Sequence, residues 1–195
     1  MSYEAEKADF FRQFLPTPGY AVEAGALDGT SGSTTLSLER EGWQVLCVEA
    51  NIHMEGLLRA VRKTVIIAAL GSEDLDSIPF HIYESSPGSF SALTPDTTTY
   101  PGCNGNFETI HVPLRTLNSC LREVGFPRLD LLCLDLEGGE LPVLTSLDWG
   151  VWCPKVVCVE NWVVEDTAKE DFLTSKGYSL RRRWEVDDVY VHDEV

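Results

Sequence analysis

Basic side chains are scarce in this sequence: 15 Lys and Arg stand against 31 Asp and Glu, a formal charge of −16. Affinity for nucleic acid is carried mostly by cations set on phosphates, so DNA and RNA are excluded as expected partners. The one basic cluster, Arg181 to Arg183, falls in an apparent strand, where alternation sends neighbouring side chains to opposite faces. Long apolar runs are also lacking. None approaches the roughly 20 residues that span a bilayer, and the N-terminus has no basic segment followed by an apolar one. The expectation is a soluble, unexported, cytoplasmic protein with no membrane partner. The six cysteines include no C-x-x-C and no nearby histidine partner, which excludes structural zinc and a disulfide scaffold. Cys47, Cys133 and Cys158 each sit in an apolar run ending in an acid, and read as small buried thiols of central strands in a reducing compartment. A G-x-G-x-x-G turn is missing as well, which weighs against a dinucleotide site.

What is present suits one domain over residues 1–195, with 44% hydrophobic and 24% charged residues. Its centre is Tyr20 to Ser33, Y-A-V-E-A-G-A-L-D-G-T-S-G-S, a short apolar strand feeding a glycine turn and then a helix. Such a corner lies at the carboxyl edge of a parallel sheet, where helix amides face a bound ligand. Gly25 and Gly29 allow close backbone approach there, and Glu23 stands just before the turn as an acceptor.

Residues 1–18 form a leading helix that two prolines stop. A helix is expected from about Ser31 to Glu41, then a strand from Gln44 to Glu49. Glu49 follows the first corner by about 25 residues, the distance at which an acid reaches ribose hydroxyls in doubly wound folds. T-V-I-I-A-A-L at 64–70 reads as one parallel strand covered on both faces. Strands follow at 78–84 and from Thr109 to Leu114, with His81 and His111 as structural histidines. The Ser-, Thr-, Pro- and Gly-rich stretch 85–108 between them has no periodicity and is the candidate substrate lid.

The second informative stretch is Leu129 to Leu144, L-D-L-L-C-L-D-L-E-G-G-E-L-P-V-L. Asp135 ends an apolar strand, and Glu137 and Glu140 crowd it around a Gly-Gly turn. Like charges at a strand end repel unless a cation, a proton or a ligand amine lies between them. Lys155 to Glu160 again ends in an acid, and a closing hairpin is expected around Asp187. The alternation predicts an α/β fold, a doubly wound, mostly parallel seven-stranded sheet with an antiparallel last strand. Glu23, Glu49, Asp135 and Glu160 should then share one edge.

With these residues in view, the acid-x-Gly-Ala-x-x-Gly-x-Ser corner resembles the first motif of S-adenosylmethionine-dependent methyltransferases. V-E-A-G-A-L-D-G at 22–29, V-E-A-N at 48–51, A-A-L-G at 68–71, V-P-L-R-T-L-N at 112–118 and the acid-rich stretch at 130–144 together resemble the FkbM-type methyltransferase family, of the Rossmann-like class I. The resemblance implies that Glu23, Gly25, Ala26, Gly29 and Ser31 hold the methionine end of S-adenosylmethionine and that Glu49 takes the ribose. It places Leu70 and Gly71 near the adenine and Asp135 facing the methyl group and its acceptor. Many family members have Lys where Cys133 stands, so the chain departs from the pattern there. The layout also resembles catechol-type O-methyltransferases, which implies Mg²⁺ on Asp135, Glu160 and Asn161. The implied reaction is O-methylation of a small molecule or sugar, with Asp135 or Glu137 as base. Two rivals stay open: a cofactor-binding module without chemistry, and a nicotinamide-dependent oxidoreductase of similar architecture.

Overall fold

The computed structural model describes residues 3–15, 17–83, 91–93, 106–162 and 167–195. In chain order the elements are α1 (Tyr3–Phe11), β1 (Tyr20–Ala24), α2 (Leu36–Arg40), β2 (Gln44–Glu49), α3 (Glu55–Val61), β3 (Thr64–Ile67), β4 (Ala69–Gly71), β5 (Leu75–Tyr83), β6 (Ser91–Ala92), β7 (Phe107–Thr116), α4 (Leu117–Glu123), β8 (Leu131–Leu134), α5 (Glu140–Ser146), β9 (Val156–Glu160), α6 (Ala168–Ser175), β10 (Tyr178–Trp184) and β11 (Asp187–His192).

The main sheet has seven strands in the order β10-β11-β9-β8-β1-β2-β3 among the described residues. From β9 to β3 every pairing is parallel, and β11 runs antiparallel to both neighbours, as the alternation predicted. Strand residues alternate between two apolar layers, the period-2 consequence of a pleated backbone. Val22, Val48 and Leu132 pack with Leu121 of α4, Leu144 of α5 and Leu173 of α6. Ala21, Val45 and Leu131 pack with Phe11 of α1, Leu38 of α2 and Leu58 of α3.

A second sheet, β4-β7-β5-β6, was not expected from the sequence. The run at 64–70 is not one strand: β3 pairs with β2 as far as Ile67, and β4 then pairs with β7. The break falls at Ala68, whose N–H donates to the Glu49 carbonyl at 2.9 Å. β3 is an edge strand and only half-buried along its length, not covered on both faces. The second sheet has its own small core, including Ala69, Phe80, Ile82, Val112 and Leu114.

Three other boundaries differ. The helix expected from Ser31 begins only at Leu36, because Ser31 and Thr30 close a turn on Asp28 and Ser33 to Thr35 bond to Glu23. Asp187 opens β11 and is not the hairpin turn, which Glu185 makes at φ 47°. Most of the 85–108 lid lies outside the described residues. Of the remainder, β6 pairs with β5, and 107–108 begin β7.

Register explains why the acids meet. Ala24 pairs with Val48 and Leu134, and Leu134 with Val159, so one row crosses the sheet just inside its carboxyl edge. Glu49, Asp135 and Glu160 occupy the next position on their strands. Glu23 lies one position inside that row, beside Cys47 and Cys133. Odd and even positions point to opposite faces, so all four acids belong to the face that carries α1, α2 and α3.

Candidate active site

The glycine corner closes because residue 25 has no side chain. Gly25 has φ 80°, and a Cβ there would lie 1.9 Å from the Asp135 carbonyl oxygen. Its own N–H donates to Val48 O at 2.9 Å, and the Asp135 N–H donates to Ala24 O at 3.1 Å. One residue thus ties the ends of β1, β2 and β8 together. Gly25→Ala should lower stability by about 2 kcal/mol or more, since L residues strain at positive φ and the carbonyl would have to move. An unchanged denaturant midpoint would show that the corner relaxes freely.

Beside this corner lies a cavity of about 330 Å³. Of the residues singled out in the sequence, Glu23, Gly25, Ala26 and Ser31 line it from the first corner. Glu49, Leu70, Asp135 and Glu137 line it from the later strands and turns. Gly29, Gly71, Glu160 and Asn161 are not on its wall. Gly29 packs against Leu58, Val61 and Arg62, and Gly71 against Leu114. Leu93, which falls in the expected lid stretch, also lines the cavity, as do Lys7 and Asp187.

Glu23 is the hub of the corner. Its Oε1 accepts from Thr34 N at 2.8 Å, and its Oε2 from Ser33 Oγ at 2.8 Å, Thr35 Oγ1 at 2.6 Å and Arg62 Nη1 at 2.8 Å. Arg62, fully buried, also donates to Glu39 Oε2 at 2.8 Å and to the Gly29 carbonyl at 3.2 Å. The chain from Gly29 to Thr35 is therefore wrapped around one buried guanidinium. Neither Arg62 nor Glu39 was singled out in the sequence, because no local spacing marks residues that meet only through the fold.

Glu49 accepts from Leu27 N and Asn51 N, each at 2.7 Å. Burial nonetheless pushes its carboxyl above the ordinary value. Each of its oxygens retains acceptor capacity toward the cavity.

The acid cluster differs from the one expected. Glu140 is buried and holds the Gly-Gly turn, accepting from Leu136 N at 2.9 Å and Gly138 N at 3.1 Å, with Lys169 3.3 Å away. Glu160 takes its place: oxygens of Asp135, Glu137 and Glu160 lie within 4.8 Å of one another. Asn161 turns its side-chain amide to Asp188, which Arg183 also holds. Asp135 is reached by solvent through the cavity but is enclosed by protein around it. That desolvation, with Asp187 and Glu140 adding repulsion, pushes its carboxyl up to about 7. Desolvation and Asp135 push Glu137 up to about 8, and the same causes raise Glu160 further.

Lys7 on α1 reaches this wall and meets Asp187 Oδ2 at 2.7 Å, across 180 positions of sequence. Its ammonium interacts with the thiols of Cys133 and Cys158, which are register partners on β8 and β9. A lysine from the first helix thus lies near Cys133, the position at which the resemblance places lysine in many members.

No curated protein sequence matches the chain. Among solved structures, a TehB-like S-adenosylmethionine-dependent methyltransferase from Corynebacterium glutamicum superposes with a TM-score of 0.52 at 11% identity, covering 96% of this chain and 87% of that one. A precorrin-6y C5,15-methyltransferase from Geobacter metallireducens gives a TM-score of 0.50 at 11% identity, covering 95% of this chain and 85% of the other. At such identity both likenesses speak for the fold. The model of the methyltransferase FkbM domain matches residues 23–180, from the glycine corner into β10. The chain belongs to the FkbM methyltransferase family.

Proposed function

We propose that this protein moves the methyl group of S-adenosylmethionine to a hydroxyl of a small molecule or sugar. The observation that carries this reading is the cavity at the sheet's carboxyl edge. Its wall brings together the Gly25 corner, Glu49, Asp135 and Glu137. In this reading the adenosyl hydroxyls meet Glu49, Leu70 borders the adenine, and the methionine end rests on Gly25, Ala26 and Ser31. Glu23 acts through Arg62 and the 33–35 hydroxyls, holding the loop that the cofactor needs. Gly29 supports the same loop from behind, and Gly71 lies behind Leu70.

When bound, the sulfonium supplies an activated methyl group and a neutral leaving group. Transfer breaks one C–S bond, returns its electron pair to sulfur, and forms one O–C bond in line with it. The chain's own task is to hold the two centres at attack distance and remove the hydroxyl proton. Asp135 suits that task because a carboxyl titrating near neutrality is a better base than an ordinary one, and Glu137 is the alternative proton acceptor. Of the Asp135, Glu160 and Asn161 set implied by the catechol-type resemblance, Asp135 and Glu160 come together with Glu137, while the Asn161 side-chain N–H donates to Asp188; no step is routed through Mg²⁺.

Thermal-shift titration with S-adenosylhomocysteine and with NAD separates this reading from an oxidoreductase. Methyl transfer from labelled S-adenosylmethionine to a hydroxyl panel separates it from a binding module. Stabilisation by NAD alone, or cofactor binding with no acceptor in a broad panel, would contradict it. Glu49→Gln should weaken S-adenosylhomocysteine by about 10- to 100-fold, the worth of one or two hydrogen bonds to a charged group. An unchanged dissociation constant would remove Glu49 from the ribose.

A further inference from the structure

The cavity wall has one cation for a cofactor that brings one anion. Glu23, Glu49, Asp135, Glu137 and Asp187 contribute carboxyl groups to that wall, and Lys7 is the only Lys, Arg or His on it among the described residues. S-adenosylmethionine carries a sulfonium, an α-ammonium and an α-carboxylate. The two cations suit an acidic wall, and the carboxylate is repelled by it.

The backbone amides of the glycine corner are largely engaged within the chain. The N–H groups of Gly25 and Ala26 donate to Val48 O, and that of Leu27 to Glu49. Thr30 and Ser31 donate theirs to Asp28, and Thr34 to Glu23. The helix that could aim further amides at a ligand starts only at Leu36 and has 5 residues. A carboxylate resting on this corner therefore needs a side-chain cation.

Lys7 is placed to supply it. α1 and α2 pack on the same face of the main sheet, and Arg12 joins them through Glu41. Lys7 and the segment 31–34 that leads into α2 line the same cavity. The Lys7 ammonium lies 2.7 Å from Asp187 Oδ2, at side-chain exposures of 5% and 14%. Burial pulls its pKa down, but Cys158, Asp187 and Cys133 together raise it by more, so Lys7 is held above its ordinary value and is a cation at neutral pH. An ion pair bordering a cavity is the complement of an amino acid zwitterion. The incoming carboxylate meets the ammonium, the incoming ammonium meets the carboxylate, and every charge keeps an opposite neighbour. A carboxylate arriving alone would lie against Asp187.

We propose that the Lys7–Asp187 ion pair seats the zwitterionic end of S-adenosylmethionine, Lys7 taking its carboxylate and Asp187 its ammonium. The inference rests on the methyltransferase reading and extends its cofactor site. Lys7 precedes and Asp187 follows the residues 23–180 that match the family model, so α1 and β11 add this seat from outside the matched region. With Glu49 at the ribose, a second charged anchor fixes the direction in which the methyl group points.

Calorimetric titration with S-adenosylhomocysteine and with 5′-methylthioadenosine tests the seat, because the second probe keeps the adenosine and the thioether and lacks the amino acid end. The wild-type protein should bind S-adenosylhomocysteine about tenfold tighter or better. Lys7→Met should weaken S-adenosylhomocysteine by about 10- to 100-fold and leave 5′-methylthioadenosine within about twofold. A lysine that only pinned α1 to the sheet would weaken both probes alike. If Lys7→Met does not fold, Lys7→Met combined with Asp187→Asn removes the buried pair as a unit and leaves no uncompensated charge, and the same selective loss is expected. Equal wild-type affinities for the two probes, parallel losses of both in the variants, or an unchanged S-adenosylhomocysteine affinity overturns the proposal. Binding of neither probe by the wild-type protein is a different result: it removes the methyltransferase reading, and the seat falls with it.

Discussion

Arg62→Met should destabilise the protein by roughly 3–5 kcal/mol, the usual cost of removing one partner from a buried ionic network. For a chain of this length that corresponds to a fall of about 10 °C in Tm. The guanidinium is fully buried, and its removal leaves Glu23 and Glu39 without their cation at side-chain exposures of only 8% and 5%. It also frees the Gly29 carbonyl and Thr35 Oγ1. The same substitution should therefore weaken S-adenosylhomocysteine binding, although Arg62 is not on the cavity wall. Adding Glu23→Gln and Glu39→Gln should recover part of the stability, because the uncompensated charge is gone. Equal melting temperatures for wild type and Arg62→Met would refute the hub role.

Asp135→Asn should lower kcat by about 10²- to 10⁴-fold on any acceptor found, the range for loss of a general base. S-adenosylhomocysteine affinity should change little. Because burial raises Asp135 to about 7, wild-type kcat/KM should fall as pH drops below neutrality, when the base becomes protonated. Stability should move the other way. The folded cluster holds protons that the unfolded chain releases near pH 4, so this contribution is complete below that pH and is lost as pH rises through 7 to 8. The protein without ligand should thus melt higher at pH 5.5 than at pH 8.5, with a smaller difference in Asp135→Asn. A full-rate Asp135→Asn enzyme would pass the role to Glu137.

The features legible in the sequence were those carried by neighbours in the chain. The Gly25 corner, Glu49 at the end of β2 and Asp135 at the end of β8 each follow from an apolar strand, its period and the residue that stops it. The hidden features depend on contacts that form only after folding. Lys7 and Asp187 are 180 positions apart, and neither carries a local signal. Glu140 is nearer to Asp135 in sequence than Glu160, yet its side chain goes to turn amides, while β9 brings Glu160 alongside. The second sheet was missed because nothing in T-V-I-I-A-A-L marks Ala68 as a break: it contains no glycine or proline. The late start of α2 has the same origin, since Glu23 claims the hydroxyls of Ser33 and Thr35 that would otherwise begin a helix.

The central claim is that strand-end carboxylates from β2 and β8 serve one bound cofactor, Glu49 at its ribose and Asp135 at the methyl group and its acceptor. A crystal structure of the complex with S-adenosylhomocysteine tests it most directly. The account predicts ribose hydroxyls within hydrogen-bond distance of Glu49 and a thioether sulfur facing Asp135 across the acceptor space. Cofactor bound elsewhere, or seated with its sulfur turned away from Asp135, would contradict it.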